Sequence, residues 1–213
     1  MGGPIRNLVF LLLGHFQKPS DRSGLNKLFD RLYAIRHVRV EMPKRWNASA
    51  KHVAGFADDH LADRSVLVLV GYSLGGYLAL LICWILHKRT GRRVDLVILL
   101  DGVWRLRLAK YSLVLRSASV FSSWLPTRWR PALAFPSNVD RVISYYQTED
   151  YPRGHRVKRH RSQKRLPEEK RTKIERRLVT RGHAAVDDLG WIHEEIETEI
   201  ETVAIPGEPH GNG

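Results

Sequence analysis

Residues 66–86 read VLVLVGYSLGGYLALLICWIL, and this stretch decides the fold. The apolar run 66–70 predicts a strand that is buried on both faces, because a strand with one face in water would alternate polar and apolar residues. After Ser73 the apolar residues recur at helical spacing, which predicts a helix. A buried strand therefore passes into a helix through one short turn, and that turn exposes a serine.

The turn GYSLGG places Ser73 between Gly71 and Gly75, in the pattern Gly-x-Ser-x-Gly. At a sharp strand-to-helix turn the backbone is strained, and the residues two before and two after the serine approach too closely for side chains. This steric condition explains both glycines and predicts a nucleophile at Ser73. A serine that only capped the helix would not need a glycine on each side. The turn also lacks the lysine and the glycine order of nucleotide-binding loops.

The rest of the chain continues the alternation of strands and helices. Strand-like runs of β-branched and apolar residues occupy residues 7–13, 38–42, 65–70, 94–100, 139–146 and 174–180. Amphipathic helical patterns begin at Ser23 and Ala48, and Ser23 can cap the first of them. This order predicts an open, mainly parallel α/β sheet of about six strands, with helices on both faces in three layers. We expect residues 1–213 to form one such domain.

The composition is ordinary for a globular protein, with 43% hydrophobic and 27% charged residues, and it excludes fibrous and wholly disordered chains. The one cysteine, Cys83, falls within an apolar run, which excludes a disulfide within the chain and favours a cytoplasmic protein. The apolar run 8–13 is short for a signal peptide, and a strand explains it better. Arg and Lys interrupt every candidate for a membrane span.

Six strands alternating with helices, the GYSLGG turn after the third strand, and acid and histidine candidates in the order Ser, Asp, His resemble the α/β-hydrolase superfamily. The resemblance covers nearly the whole chain and points to the small lipase, esterase and thioesterase members. It implies a serine that is activated by a histidine, which a carboxylate orients in turn. This chemistry requires no cofactor and no metal, and we expect neither.

Ten histidines compete for the role of the base. His183 lies in VTRGHAAVDDLGW, a glycine-containing loop between the last predicted strand and an amphipathic helix, which is where the superfamily carries its base. His193 falls within that helix, and His155 and His160 belong to a strongly basic segment. Chain order and position therefore favour His183.

Two places compete for the acid. Asp101 ends the apolar strand 94–100, and LLDGV resembles the Leu-Asp-Pro stretch that carries the acid in some lipases. Glu149 and Asp150 follow the next strand, which is the commoner place in the superfamily. We favour Asp101, because a carboxylate at the end of so apolar a strand needs a hydrogen-bonding partner to offset its desolvation. Glu149 and Asp150 stay open as the alternative.

An oxyanion hole needs two backbone N–H groups that point at the developing negative charge. We expect Leu74, which follows the nucleophile, to supply one of them. The second is expected from the loop after the first strand, with His15 or Phe16 as the donor and Gly14 allowing a close backbone approach. This loop lacks the His-Gly-Gly-Gly pattern of some esterases, so the assignment depends on position alone.

Two segments fall outside this core pattern. Residues 105–137 read as an apolar insertion between two strands, whose side chains would line an acyl pocket or extend the core. Residues 153–181 contain thirteen basic and three acidic residues, and so carry ten of the chain's +13 net charge. A solvated loop is the usual structure of such a run, and attraction to an anionic membrane surface is the functional alternative. Nucleic acid is a weaker candidate, because no aromatic side chain follows Tyr151 in this segment for bases to stack on.

These features together predict a serine hydrolase that cleaves a small-molecule carboxylic ester or thioester through an acyl-enzyme. A catalytically silent scaffold of the same fold, which binds an anionic partner through the basic segment, is the alternative from a different class. An acyltransferase or a peptidase that uses the same residues also fits, since water and other nucleophiles can use one machinery.

Overall fold

The computed structural model describes residues 5–14, 17–18, 23–45, 48–103, 132–149 and 155–204. Six strands within these ranges form one sheet: β1 (Ile5–Leu12), β2 (Arg39–Glu41), β3 (Leu61–Tyr72), β4 (Val94–Leu100), β6 (Val139–Tyr146) and β8 (Lys173–Leu178). Two short strands, β5 (Leu133–Phe135) and β7 (Val157–Arg159), pair with each other apart from that sheet. The helices are α1 (Gly24–Tyr33), α2 (Ala50–His60), α3 (Leu74–Arg89) and α4 (Gly190–Ala204).

The strands of the main sheet run in the order β2-β1-β3-β4-β6-β8, and every neighbouring pair is parallel. The expected open parallel sheet of about six strands is therefore confirmed. The predicted bounds of β4 and β6 agree with the structure residue for residue. β3 is longer than predicted, because Leu61 already pairs with Ile5 before the register shifts to Asn7 opposite Val66.

Helices cover both faces of the sheet, as the alternation predicts. On one face, α2 and α3 pack with β5 and β7 over alternate side chains of β1, β3 and β4. On the other face, α1 and α4 pack over the remaining side chains of the same strands. Cys83 of α3 is fully buried, and burial raises the pKa of its thiol. None of the described helices is long and apolar enough to cross a membrane.

Helix capping departs from the expectation at α1. Ser23 occupies the position before α1, but its side chain makes no capping bond, and its Oγ accepts from Asn26 Nδ2 at 3.1 Å. The hydroxyl of Ser49 instead caps α2, by accepting from the His52 backbone N–H at 3.4 Å. Helix α1 therefore forms without a side-chain cap. The burial of one of its faces stabilises it, since packing supplies most of a helix's stability.

The expectation of a solvated loop over the basic segment is wrong for residues 155–181. This part contains β7, two short 3-10 helices at Arg161–Arg165 and Glu168–Lys170, and the edge strand β8. Gln163 and Thr172 are both buried and hold the segment together, because Gln163 Oε1 accepts from the Thr172 N–H and Gln163 Nε2 donates to Phe135 O, each at 2.9 Å. Buried, satisfied polar contacts of this kind give a charged segment a fixed shape.

The apolar insertion predicted at 105–137 is described only at its end. Leu133 and Phe135 of β5 are fully buried beside α3, so this end extends the core. Residues 104–131 lie outside the described residues, and so do the side chains that were expected to line an acyl pocket.

Candidate active site

The turn between β3 and α3 has the strained geometry that its glycines predict. Ser73 adopts φ +51° and ψ −118°, a conformation that an L-residue adopts only when its surroundings impose it. A Cβ on Gly71 would come within 2.6 Å of the backbone carbonyl group of Gly75, and a Cβ on Gly75 would overlap the carbonyl oxygen of Leu12. Both glycines are therefore required by backbone contacts, as the sequence pattern predicts.

Hydrogen bonds tie this turn to the end of β4. The Ser73 N–H donates to Leu100 O at 3.0 Å, and Ser73 O accepts from the Val103 N–H at 2.9 Å. A Cβ on Gly76 would come within 2.9 Å of the Cα of Gly102, so the first turn of α3 packs directly on the backbone after β4. The serine is thus held at the carboxyl edge of the sheet, where open α/β sheets place their ligands.

Three side chains from three loops meet beside this turn. His183 Nε2 lies 3.0 Å from Ser73 Oγ, and His183 Nδ1 lies 2.5 Å from Asp101 Oδ2. Asp101 is fully buried, and Ser73 and His183 are 5% and 9% exposed. The imidazole therefore bridges the hydroxyl and the carboxylate through its two nitrogens, with little access for water.

The carboxylate that contacts His183 is Asp101, the first residue after β4. It adopts φ +47°, its N–H donates to Tyr145 O at 2.8 Å, and its Oδ2 accepts from Gln147 Nε2 at 3.0 Å. The backbone bond fixes the turn, and the contacts of the carboxylate with Gln147 and His183 offset the cost of burying it. Of the alternative acids after β6, Glu149 is exposed, and Asp150 lies outside the described residues.

The histidine loop is fixed by a residue inside the serine turn. Tyr72 Oη donates to the backbone carbonyl of His183 at 3.0 Å, and the two rings stack with their centroids 5.2 Å apart. His183 also begins a 3-10 helix, His183–Asp188, whose Val186 is buried under α1 and α4. Tyr72 thus sets the position of the imidazole relative to Ser73.

The expected oxyanion donors are described in part. Leu74 is the first residue of α3, so its N–H belongs to the helix amides that lack an intrahelical acceptor and point out of the N-terminus. Gly14 lies against Tyr72, and a Cβ there would come within 2.5 Å of the Tyr72 ring, which explains the glycine. His15 and Phe16 lie outside the described residues, so the second donor stays a prediction.

A glutamine joins the loop after β1 to the histidine loop. Gln17 Oε1 accepts from the Gly14 N–H at 2.8 Å, and Gln17 Nε2 donates to Asp187 Oδ2 at 2.9 Å. Asp187 is buried, and desolvation raises the pKa of its carboxyl, although the bond from Gln17 opposes that shift. The loop expected to carry an oxyanion donor is therefore tied to the loop that carries the imidazole.

The other histidines considered as bases take no part in this cluster. His193 is buried in α4, and its Nε2 bonds to the backbone carbonyl of Asp187 at 2.7 Å. His155 is also buried, and its backbone N–H donates to Gly102 O at 2.7 Å. His160 stacks edge-to-face on Trp84, away from the serine turn. Among the described residues, no group of three His, Cys, Asp or Glu side chains could hold a metal ion.

The sequence reasoning missed Tyr72, Gln147, Gln17 and Asp187. Gln147 follows β6 at the carboxyl edge of the sheet, where a polar residue is expected to face the site. Its position could therefore have predicted a contact with the site residues. Tyr72 is the variable residue before the serine in the elbow pattern, which predicts nothing about its side chain. The Gln17–Asp187 bond joins residues 170 positions apart, and no local pattern indicates it.

The chain belongs to the alpha/beta hydrolase family, whose model matches residues 6–205. No curated protein sequence matches the chain significantly. The family agrees with the parallel sheet, the helices on both faces and the serine turn after β3 described above.

Solved structures share this fold at low sequence identity. Human thioesterase 2 is 12% identical with a TM-score of 0.57, and the match covers 95% of this chain and all of that one. Carboxyl esterase 2 from the fungus Tuber melanosporum is 10% identical with a TM-score of 0.52, and the match covers 94% of this chain and 78% of that one. At identities this low, the structural similarity establishes the common fold alone.

Proposed function

We propose that this protein is a serine hydrolase that cleaves a carboxylic ester or thioester through an acyl-enzyme. The observation that carries the proposal is the double contact of His183, which reaches Ser73 Oγ at 3.0 Å and Asp101 Oδ2 at 2.5 Å. This is the spacing that a general base needs in order to take a proton from a nucleophile while a carboxylate holds its other nitrogen.

The roles follow from the chemistry of the three groups. His183 Nε2 accepts the Ser73 proton as Oγ attacks the carbonyl carbon, and Asp101 stabilises the imidazolium that forms. The Leu74 N–H, and an N–H of His15 or Phe16, hold the negative charge that develops on the carbonyl oxygen. His183 then protonates the leaving alcohol or thiol. Water, activated by the same imidazole, releases the acid and restores Ser73.

Labelling with a fluorophosphonate probe separates this proposal from a catalytically silent scaffold, because only an activated serine reacts with it. We expect the full chain to be labelled, and we expect Ser73→Ala and His183→Ala to lose both labelling and turnover. The matched control is Ser162→Ala, which changes an exposed serine of the basic segment. Labelling that survives Ser73→Ala would refute the role of this serine.

A panel of p-nitrophenyl esters, acyl thioesters and anilides then identifies the bond that is cleaved. Turnover of esters or thioesters that depends on Ser73 supports the proposal as stated. Faster turnover of the anilide points to a peptidase, and acyl transfer to an added alcohol in preference to water points to an acyltransferase.

A further inference from the structure

Two large apolar side chains are exposed at the two ends of the loop that carries His183. Leu178, the last residue of β8, is 54% exposed, and Trp191, at the start of α4, is 48% exposed. Among the described residues, Tyr33 at the end of α1 is the other large apolar side chain with comparable exposure. Single exposed apolar residues are common and need no explanation. Two of them, one at each end of a candidate catalytic loop, are typical of an interaction surface.

Basic side chains flank the same loop. Arg176 and Arg181 lie on either side of Leu178, both are exposed, and neither has an ion pair within the part of the chain that the structure describes. The Arg176 guanidinium lies 4.3 Å from the centre of the Tyr146 ring, which fixes its position at the sheet edge. The charge of Arg176 therefore lies at a defined place, and both arginines remain available to an external anion.

The surrounding segment strengthens this positive field. Further basic side chains of residues 155–181 are exposed: Arg156, Lys158, Arg161, Lys164, Arg165, Lys170 and Lys173. The exposed acidic side chains in the same range are Glu168 and Glu169, and Glu168 already pairs with Arg159 and Arg171. Because the segment is folded, the backbone positions that carry these charges are fixed.

Protection of an edge strand accounts for part of this pattern. Charged residues on an edge strand such as β8 hinder pairing with other sheets, and Lys173 and Arg176 can serve that purpose. The same explanation does not cover an exposed leucine at the end of the strand. It also does not cover an exposed tryptophan beyond the histidine loop, on a different element.

Arg176 lies over Tyr146 and Trp191 lies against Tyr145, so the two side chains lie on opposite faces of the sheet at the ends of β6 and β8. We propose that they form, with Leu178 and Arg181, an interfacial surface along this edge of the sheet that docks on an anionic lipid bilayer. Trp and Leu side chains enter the headgroup region, while Arg side chains bind lipid phosphates and lie in the negative surface potential. Docking at this surface turns the histidine loop towards the bilayer. If the proposed function holds, on which this last step rests, an acyl ester carried by the membrane is the substrate.

A nucleic acid fits the surface less well. Trp191 is the one aromatic side chain in the interfacial surface, and residues 155–181 contain no Phe, Tyr or Trp. Successive bases would therefore lack a stacking platform. An exposed leucine beside arginines also matches a lipid interface better than a phosphate backbone.

Co-sedimentation of the full chain with lipid vesicles tests the proposal. We expect binding to phosphatidylcholine vesicles that contain phosphatidylserine, little binding to phosphatidylcholine alone, and weaker binding at high salt. Changing both Arg176→Gln and Arg181→Gln should lower the partition coefficient about 25-fold, at roughly fivefold for each charge near the surface. Leu178→Ser combined with Trp191→Ser should also weaken binding, without changing the charge.

Matched controls come from the region between α1 and β2, at the opposite edge of the sheet. Arg36→Gln removes one charge from an exposed site and is compared with Arg176→Gln alone. Tyr33→Ser removes an aromatic side chain that is 73% exposed and is compared with Trp191→Ser alone. Both controls should bind anionic vesicles like the parent chain. Equal losses in the controls would mean that net charge alone acts and would overturn the surface, as would binding to nucleic acid but not to vesicles.

The same vesicle assay with Ser73→Ala keeps the two proposals apart. Ser73→Ala should dock like the parent chain, because Ser73 lies outside the interfacial surface. A parent chain that docks but turns over no ester or thioester refutes the hydrolase and leaves the interfacial surface standing. Turnover of a soluble short-chain ester without vesicle binding refutes the surface and leaves the hydrolase standing. Thermal unfolding of each variant establishes that a loss of binding is not a loss of the fold.

Discussion

Asp101 Oδ2 accepts from Gln147 Nε2 at 3.0 Å and lies 2.5 Å from His183 Nδ1, so one carboxylate oxygen joins the ends of β4 and β6 to the histidine loop. Gln147 follows β6, the strand after which the superfamily more commonly carries its acid. In this chain the first residue after β6 is a neutral amide, which donates to the carboxylate that follows the neighbouring strand β4. The amide satisfies the buried carboxylate without adding a second negative charge beside it.

Asp101→Asn should lower kcat by about 10³- to 10⁴-fold on the ester or thioester that the parent chain turns over. An amide neither holds His183 in the required tautomer nor stabilises the imidazolium. Glu149→Gln is the control, because Glu149 is an exposed candidate acid on the next loop, and it should stay within about twofold of the parent chain. A large loss in Glu149→Gln, with activity retained in Asp101→Asn, would reverse the assignment of the acid.

Asp187→Asn should change how stability depends on pH. Burial raises the pKa of Asp187 above its ordinary value of 3.8, so the folded chain binds this proton more tightly than the unfolded chain. The contribution of Asp187 to the stability of the parent chain therefore falls as the pH rises from 3.8 through the folded pKa, and the variant lacks this fall. Urea unfolding over a pH series measures the difference.

The new amide at position 187 also changes the free energy of unfolding by an amount that does not depend on pH. The test is therefore how the difference between variant and parent changes with pH. The free energy of unfolding of Asp187→Asn relative to the parent should increase from acidic to neutral pH. A difference that stays flat, or falls, would contradict the raised pKa of the carboxyl.

Glu199→Gln should destabilise the chain by about 1–3 kcal/mol at neutral pH, because it breaks charge-assisted bonds that join α4 to the sheet. Arg177 donates to Glu199 Oε1 at 2.8 Å, and Arg141 donates to both carboxylate oxygens. Partial burial alone would raise the pKa of Glu199, but the bonds and charges of the two arginines outweigh it and hold this pKa below its usual value.

The sign of the pH effect at Glu199 is opposite to that at Asp187. A lowered folded pKa gives stability that is present above the unfolded value of 4.5 and is lost as the pH falls through the folded pKa. The cost of Glu199→Gln should therefore shrink in acid. Glu201→Gln, on an exposed position of the same helix, should change stability by less than about 0.5 kcal/mol at any pH.

Gly75→Ala should destabilise the chain by about 1–3 kcal/mol or more and should abolish fluorophosphonate labelling, because its Cβ would overlap the Leu12 carbonyl and force β1 and the serine turn apart. Gly190→Ala is the control, since a Cβ there meets no atom within 4 Å and alanine favours a helix. Thermal unfolding and labelling are measured on both. A Gly75→Ala chain as stable and as reactive as the parent would show that the turn has room for a side chain at this position.

The sequence predicted the parallel sheet, the two helical layers and the serine turn, because each depends on local patterns. An apolar run such as residues 66–70 indicates a strand that is buried on both faces. Glycines two residues before and two residues after Ser73 indicate a backbone turn that leaves no room for side chains. Chain order among polar residues also singled out His183, which the structure brings to Ser73. These features are encoded within segments of about twenty residues.

The sequence favoured Asp101 as the acid but left Glu149 and Asp150 open, and the structure brings Asp101 to His183. The tertiary structure alone decided that Gln17 joins the loop after β1 to Asp187 and that β5 pairs with β7. Each of these depends on how strands distant in the chain lie side by side, and the residues concerned carry no local signal of their partners. The basic segment illustrates the same point, since its composition resembles a solvated loop, whereas the buried Gln163 and Thr172 give it a fixed shape. Local patterns determine the elements, and packing between elements determines which polar groups meet.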